Sequence, residues 1–237
     1  MAGGGGAAPS VEGRRGRRSG LSQPPPVEVG ERFVLPASGA TLAELFAHPG
    51  DGGWAGLLRA WLATERPLLW VQERMAMLEG GRVYPPGLGL DLIHVCARDA
   101  REALWAMEEG LRCPGLSAVV GEIYGDPARL DFTATRRLAV AAERSGVAAW
   151  LVRLNGTANL SGARRRWRVA SAPSLANPFD PKAPGASAWD AELFRARGSP
   201  PGRWTLGHDP AGTGADPVRL VAAAGDRAVE QGERRAG

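Results

Sequence analysis

Lysine is nearly absent from these 237 residues. Lys182 stands alone among 29 basic side chains, and the rest are arginine. With 33 glycines and 19 prolines, this reads as a GC-rich coding bias, which weakens the meaning of any single arginine. Cysteine is almost as scarce. Cys96 and Cys113 are the only two, and no CxxC is present. That excludes a disulfide framework and a cysteine zinc site. Both are expected to be buried thiols in a reducing compartment. His48, His94 and His208 are scattered without ligand spacing. No metal and no cofactor are therefore expected. No stretch approaches the ~18–20 apolar residues of a membrane span. The opening MAGGGGAAPSVEGRRGRRSG lacks the apolar core of a secretory signal, so a cytoplasmic protein is expected.

What is present is an ordinary apolar fraction, 44%, enough for one medium domain. Residues 1–27 and 225–237 are Gly, Ala, Pro and Arg-rich and read as disordered tails around one domain at 28–224. Within it, apolar strands alternate with helical patterns. Thr41–Phe46, Leu68–Val71, Leu90–Val95, Ser117–Ile123 and Ala148–Leu154 read as buried strands. Trp54–Ala63, Asp99–Leu111 and Asp131–Ser145 read as helices. Asp99 and Glu102 have capping-box spacing, Asp131 is a candidate cap, and Gly146 closes the last helix. Near-continuous apolar strands separated by helices indicate an α/β fold with a mostly parallel sheet flanked by helices. Beyond residue 155 the pattern becomes mixed. Arg165–Ser171, Glu192–Arg197 and Arg203–His208 suggest C-terminal antiparallel strands. Residues 172–190 and 210–217 read as loops.

In a phosphate-binding α/β protein the first strand runs into a glycine-rich loop and then a helix. Here that place holds HPGDGGWAGLL. Aligned on Gly53, the P-loop lysine becomes Trp54 and the Ser/Thr becomes Ala55, while His48 replaces the first glycine. Trp54 brings no charge, Ala55 no metal ligand, and the indole's bulk is expected to crowd the phosphate space. Gly50, Gly52 and Gly53 retain backbone N–H groups for weak anion binding at most. The acids usual in such sites are displaced. Glu122 follows Gly121, one position late for a metal-binding acid, and Glu73 closes its strand with nothing to act on.

The strings at 68–123, 130–154, 163–174 and 191–209, above all WVQERMAMLEGG and ALWAMEEGLRC, give the chain a resemblance to the ImuA family of RecA-like, SulA-related proteins. The resemblance implies a RecA-like core. It also implies a non-catalytic adaptor in damage-induced translesion DNA synthesis during the SOS response. The implied partners are an ImuB-type inactive Y-family polymerase homologue, an error-prone replicative-type polymerase and RecA. A SulA-like cell-division inhibitor that binds FtsZ is the alternative.

One segment stands out for charge. Arg164, Arg165, Arg166 and Arg168 surround Trp167. On a strand, Arg164, Arg166 and Arg168 share one face, and Trp167 and Val169 pack on the other. Arginines interleaved with an aromatic suit single-stranded DNA. A protein partner, or a charged edge strand that discourages pairing, fits as well. Arg195, Arg197 and Arg203 could extend the patch. Replacing Arg164, Arg166 and Arg168 with alanine is expected to weaken binding without unfolding the protein. Among eight tryptophans, Trp61, Trp70, Trp105 and Trp150 fall in core patterns. Trp189 and Trp204 are the better candidates for an exposed partner site.

Overall fold

The computed structural model describes residues 40–62, 65–208 and 218–223, together with Met1. Both expected tails and the 210–217 loop therefore lie outside the described residues, apart from Met1.

Five strands form a parallel core. They are β1 (Leu42–Ala47), β2 (Leu68–Glu73), β3 (Leu92–Ala97), β4 (Ala118–Tyr124) and β5 (Ala148–Leu154). A sixth, β6 (Arg165–Ala172), lies parallel to β1 and antiparallel to β7 (Ala188–Ala196). Two further antiparallel strands, β8 (Gly202–His208) and β9 (Val218–Ala223), complete the sheet. The order is β3-β2-β4-β5-β1-β6-β7-β8-β9. The expected RecA-like α/β core with C-terminal antiparallel strands is what the chain forms. Strand β9 and two short helices, α2 (Arg74–Gly80) and α3 (Pro85–Leu88), were not legible in the periodicity. The arginine strand β6 is interior rather than an edge. The edges are β3 and β9.

The sheet is covered on both faces. Helix α1 (Gly53–Trp61) packs on one face. There Leu57 and Leu58 meet Trp70, Trp150, Trp167 and Trp204 in one buried layer. Helices α4 (Ala100–Gly110) and α5 (Phe132–Ser145) cover the other face, over Val71, Val119, Ile123 and Leu151. Local signals set these helices. Asp99 accepts from the Glu102 N–H at 2.9 Å. The Glu102 carboxylate reaches back to the Arg98 N–H at 2.7 Å, one residue before the cap, in a variant of the capping box. Asp131 accepts from the Ala134 N–H at 2.7 Å. Helix α5 ends on Gly146 at φ 77, the left-handed conformation that glycine adopts without strain.

Three expectations about burial are corrected. Trp105 is 62% exposed, because it lies on the outward side of α4. Trp189 and Trp204 are buried, since antiparallel β7 and β8 turn them under α1. Cys96 and Cys113 are both exposed. The first sits on edge strand β3 and the second in the turn after α4.

The link from β5 to β6 has a consequence for the site. Both strands run parallel with β1 between them, so residues 155–164 must cross the sheet face. They do so without a helix. The irregular chain brings polar groups over the middle of β1, and a polar side chain waits beneath them.

Candidate functional site

The β1–α1 loop is the one expected to hold a phosphate, and the chain's own groups engage two of its three glycine N–H donors. The Gly53 N–H donates to the Asp51 carboxylate at 2.9 Å. The Gly50 N–H donates to His48 Nδ1 at 3.1 Å. The same Asp51 carboxylate accepts from the Ser171 N–H at 2.7 Å and from the Ser171 hydroxyl. This ties the loop to the end of β6. A side chain at Gly53 would collide with the Ser171 hydroxyl. Gly52 caps α1 without a side-chain bond. Burial works against the charge on Asp51, but the hydrogen bonds from Ser171 and Gly53 and the nearby His48 hold its carboxyl below the usual range. Trp54 does not crowd this space. It turns into the core, 6.3 Å between ring centroids from Trp70. Trp189 closes the arrangement by donating from Nε1 to the Gly53 carbonyl at 2.7 Å.

An Asp51→Ala variant is expected to lose roughly 1–2 kcal/mol, since three donors lose one acceptor. Hydrogen exchange should speed up at Gly53 and Ser171 together. Unchanged exchange at Ser171 would show that the loop is held by other contacts.

The acids sit in separate pockets on opposite sheet faces. Glu122 lies within β4, 2% exposed, on the face that carries Trp70. It accepts from Trp70 Nε1 and from Gln72 Nε2, the latter at 2.9 Å. Gln72 bonds in turn to the Gly81 carbonyl, the Val83 N–H and His94. No cation faces Glu122 among the described residues, and burial pushes its carboxyl up to about 7 against the two hydrogen bonds. Glu73 lies on the other face and accepts from the Tyr124 N–H at 2.9 Å. Burial raises its pKa, with Asp99 adding to the effect.

The arginine strand splits between faces as expected, but it forms no exposed row. Both faces of β6 are covered. Trp167 is fully buried, with its ring 4.9 Å from Trp61. Arg166 is 3% exposed, because β1 lies beside it in register and offers Glu44. The Arg166 Nε donates to the Glu44 carboxylate at 2.6 Å. Ser161 of the crossover donates to Glu44 at 2.8 Å, and Arg153 of β5 approaches it at 3.8 Å. The Arg166 guanidinium lies 5.1 Å from the Phe46 ring and 5.3 Å from the Phe194 ring, within reach of both π faces. Arg164 pairs with Glu143 at 2.7 Å and Arg168 with Glu192 at 3.2 Å. Arg165 turns to the α1 face, 5.9 Å from the Trp150 ring, and burial lowers its pKa. Of the five residues Arg164–Arg168, Arg166 and Trp167 are thus interior.

The buried trio Glu44, Arg153 and Arg166 was missed. Its signal was an acid inside LAELFA and an arginine inside AAWLVRL, each out of place in an apolar strand. The Asp51–Ser171 link, 120 residues apart, had no local signal.

Two curated proteins resemble this chain, both called Protein ImuA, from two strains of Caulobacter vibrioides. Each is 36% identical over 179 residues, covering 70% of this chain and 70% of the relative. The chain belongs to the ImuA family. No family model matches it. Within this ImuA-family chain, no helix among the described residues is long and apolar enough to cross a membrane.

Proposed function

We propose that the chain is a non-catalytic adaptor in damage-induced translesion DNA synthesis. In that role it joins an ImuB-type inactive Y-family polymerase homologue to an error-prone replicative-type polymerase and to RecA. The reading takes its system from the family. Its non-catalytic character is carried by one observation: the loop expected to hold phosphate is knitted shut by Asp51, His48 and Ser171. The positions expected to supply lysine and hydroxyl are Trp54, turned into the core, and Ala55. The strand Arg164–Arg168 remains the proposed contact for a partner or for DNA. Its exposed share is Arg168 and parts of Arg164 and Arg165.

Capture experiments test this role. The full chain should retain the ImuB-type homologue or RecA equally with and without ATP, and ATP should not raise its melting temperature. Capture that depends on ATP, or measurable phosphate release, would overturn the non-catalytic reading. Capture of FtsZ in place of the polymerase partners would replace it with the division-inhibitor role.

A further inference from the structure

The outer side of α5 carries Phe132, Arg136, Val140 and Arg144 at four-residue spacing, one stripe along the helix. Phe132 is 41% exposed and Val140 38%. The stripe is a ridge between two grooves. One, of about 710 Å³, lies toward α4 and is walled by Arg112, Arg137 and Arg144. The other, of about 420 Å³, lies toward β6 and β7 and is walled by Arg164, Arg195 and Arg197. Arg136 and Val140 line both. Four separate stretches of chain therefore bring arginines to one surface.

Acids compensate part of this charge and leave the rest. Glu108 pairs with Arg112 and Arg137, Glu109 with Arg112, and Glu143 with Arg164. Arg136, Arg144, Arg195 and Arg197 make no ion pair with any described residue. The surface is also built to close tolerance. Gly162 of the crossover lies against α5 so closely that a Cβ there would stand 2.7 Å from the Arg136 backbone. The Gly162 N–H donates to the Thr135 hydroxyl at 3.0 Å. The crossover thus forms a firm floor for the second groove.

We propose that this face, the α5 ridge with its two arginine banks, binds a single-stranded nucleic acid. The proposal deepens the adaptor role and rests on it only in taking the strand to be DNA. The chemistry selects the ligand. Cations follow both sides of the ridge over Arg136 to Arg144, about 12 Å. The occupant must repeat a negative charge along its length and also present apolar faces to Phe132 and Val140. A nucleotide chain has both in every unit, with phosphates for the guanidinia and a base face for the ring. A duplex presents phosphates while its bases stay stacked inside, leaving Phe132 and Val140 in water. An acidic peptide meets the cations but brings no flat face at each repeat.

The test is fluorescence anisotropy of the full-length chain with a labelled single-stranded oligothymidylate at several salt concentrations. The double reversal Arg136→Glu with Arg195→Glu should weaken binding at least about tenfold. It should also make the salt dependence shallower by about 1.4, two phosphate contacts' worth. Phe132→Ala should weaken binding about fivefold or more with the salt slope unchanged, since stacking releases no counterions. Arg74→Glu with Arg82→Glu changes the net charge equally on another surface and should leave affinity near wild type. Matched thermal melts establish that the variants fold. The proposal fails if both charge pairs weaken binding alike, which indicates net charge alone. It fails too if poly-glutamate displaces the oligonucleotide as well as unlabelled single strand does, or if duplex binds equally. If the wild-type chain captures the ImuB-type homologue yet binds no single strand, this inference falls and the adaptor role stands. Strand binding without partner capture does the reverse.

Discussion

A Glu44→Ala variant is expected to lose about 3–5 kcal/mol, enough to unfold a domain of ordinary stability. The cost comes from what stays behind. Glu44 is fully buried and is the acid shared by Arg166 and Arg153, themselves 3% and 1% exposed. Arg153 keeps Asp126 and the Gly125 carbonyl, but among the described residues Arg166 keeps only the faces of Phe46 and Phe194. An unpaired guanidinium in that setting is far costlier than a lost surface pair. Arg168→Ala, which breaks a half-exposed pair with Glu192, should cost less than about 1 kcal/mol. Removing charge and partner together, as Glu44→Leu with Arg166→Met, should recover much of the loss. Urea midpoints of the four proteins give the comparison. A Glu44→Ala protein within about 1 kcal/mol of wild type would mean that water reaches the cluster.

The same geometry overturns the expectation that Arg164, Arg166 and Arg168 can be replaced together without unfolding the protein. Two of the three face solvent in part, and the third holds the sheet together. A binding test on this strand is clean only with Arg164 and Arg168 changed and Arg166 kept.

The parallel core was legible because strands such as LLWVQE are apolar on both faces and the helices carry their own caps. Asp99, Asp131 and Gly146 act locally, so their spacing alone announces them. What was not legible depends on neighbours far away in the chain. Arginines 164, 166 and 168 share a face, as alternation requires, but sequence spacing cannot show that β1 brings Glu44 beside the middle one. Trp105 and Trp189 exchanged roles for the same reason. A helical tryptophan reads as core until its angle to the sheet is known. One in a mixed-pattern segment reads as surface until the strand turns under a helix. The α5 ridge escaped notice because its arginines come from residues 112 to 197 and meet only after folding. No single stretch there is as charged as Arg164–Arg168.

Glu122 makes stability depend on pH in a direction opposite to most carboxylates. In the unfolded chain it titrates near 4.5, and burial raises the folded value to about 7. The folded state therefore holds its proton more tightly. The stability tied to that proton is fully present below pH 4.5 and is lost as pH rises through 7, up to about 3 kcal/mol. His94 works the other way, because burial and Arg82 lower its pKa and the folded state gains as pH rises. Comparing Glu122→Gln with wild type at each pH removes that contribution. The stability difference should shift toward the variant by about 2–3 kcal/mol between pH 5 and pH 8 in urea melts. A difference that stays constant would mean that Glu122 is already charged at pH 5 and that water or an unseen cation reaches it. The outcome bears on chemistry as well as stability. With a pKa of about 7 the carboxyl is about half protonated at pH 7, and its oxygens are already engaged by Trp70 and Gln72.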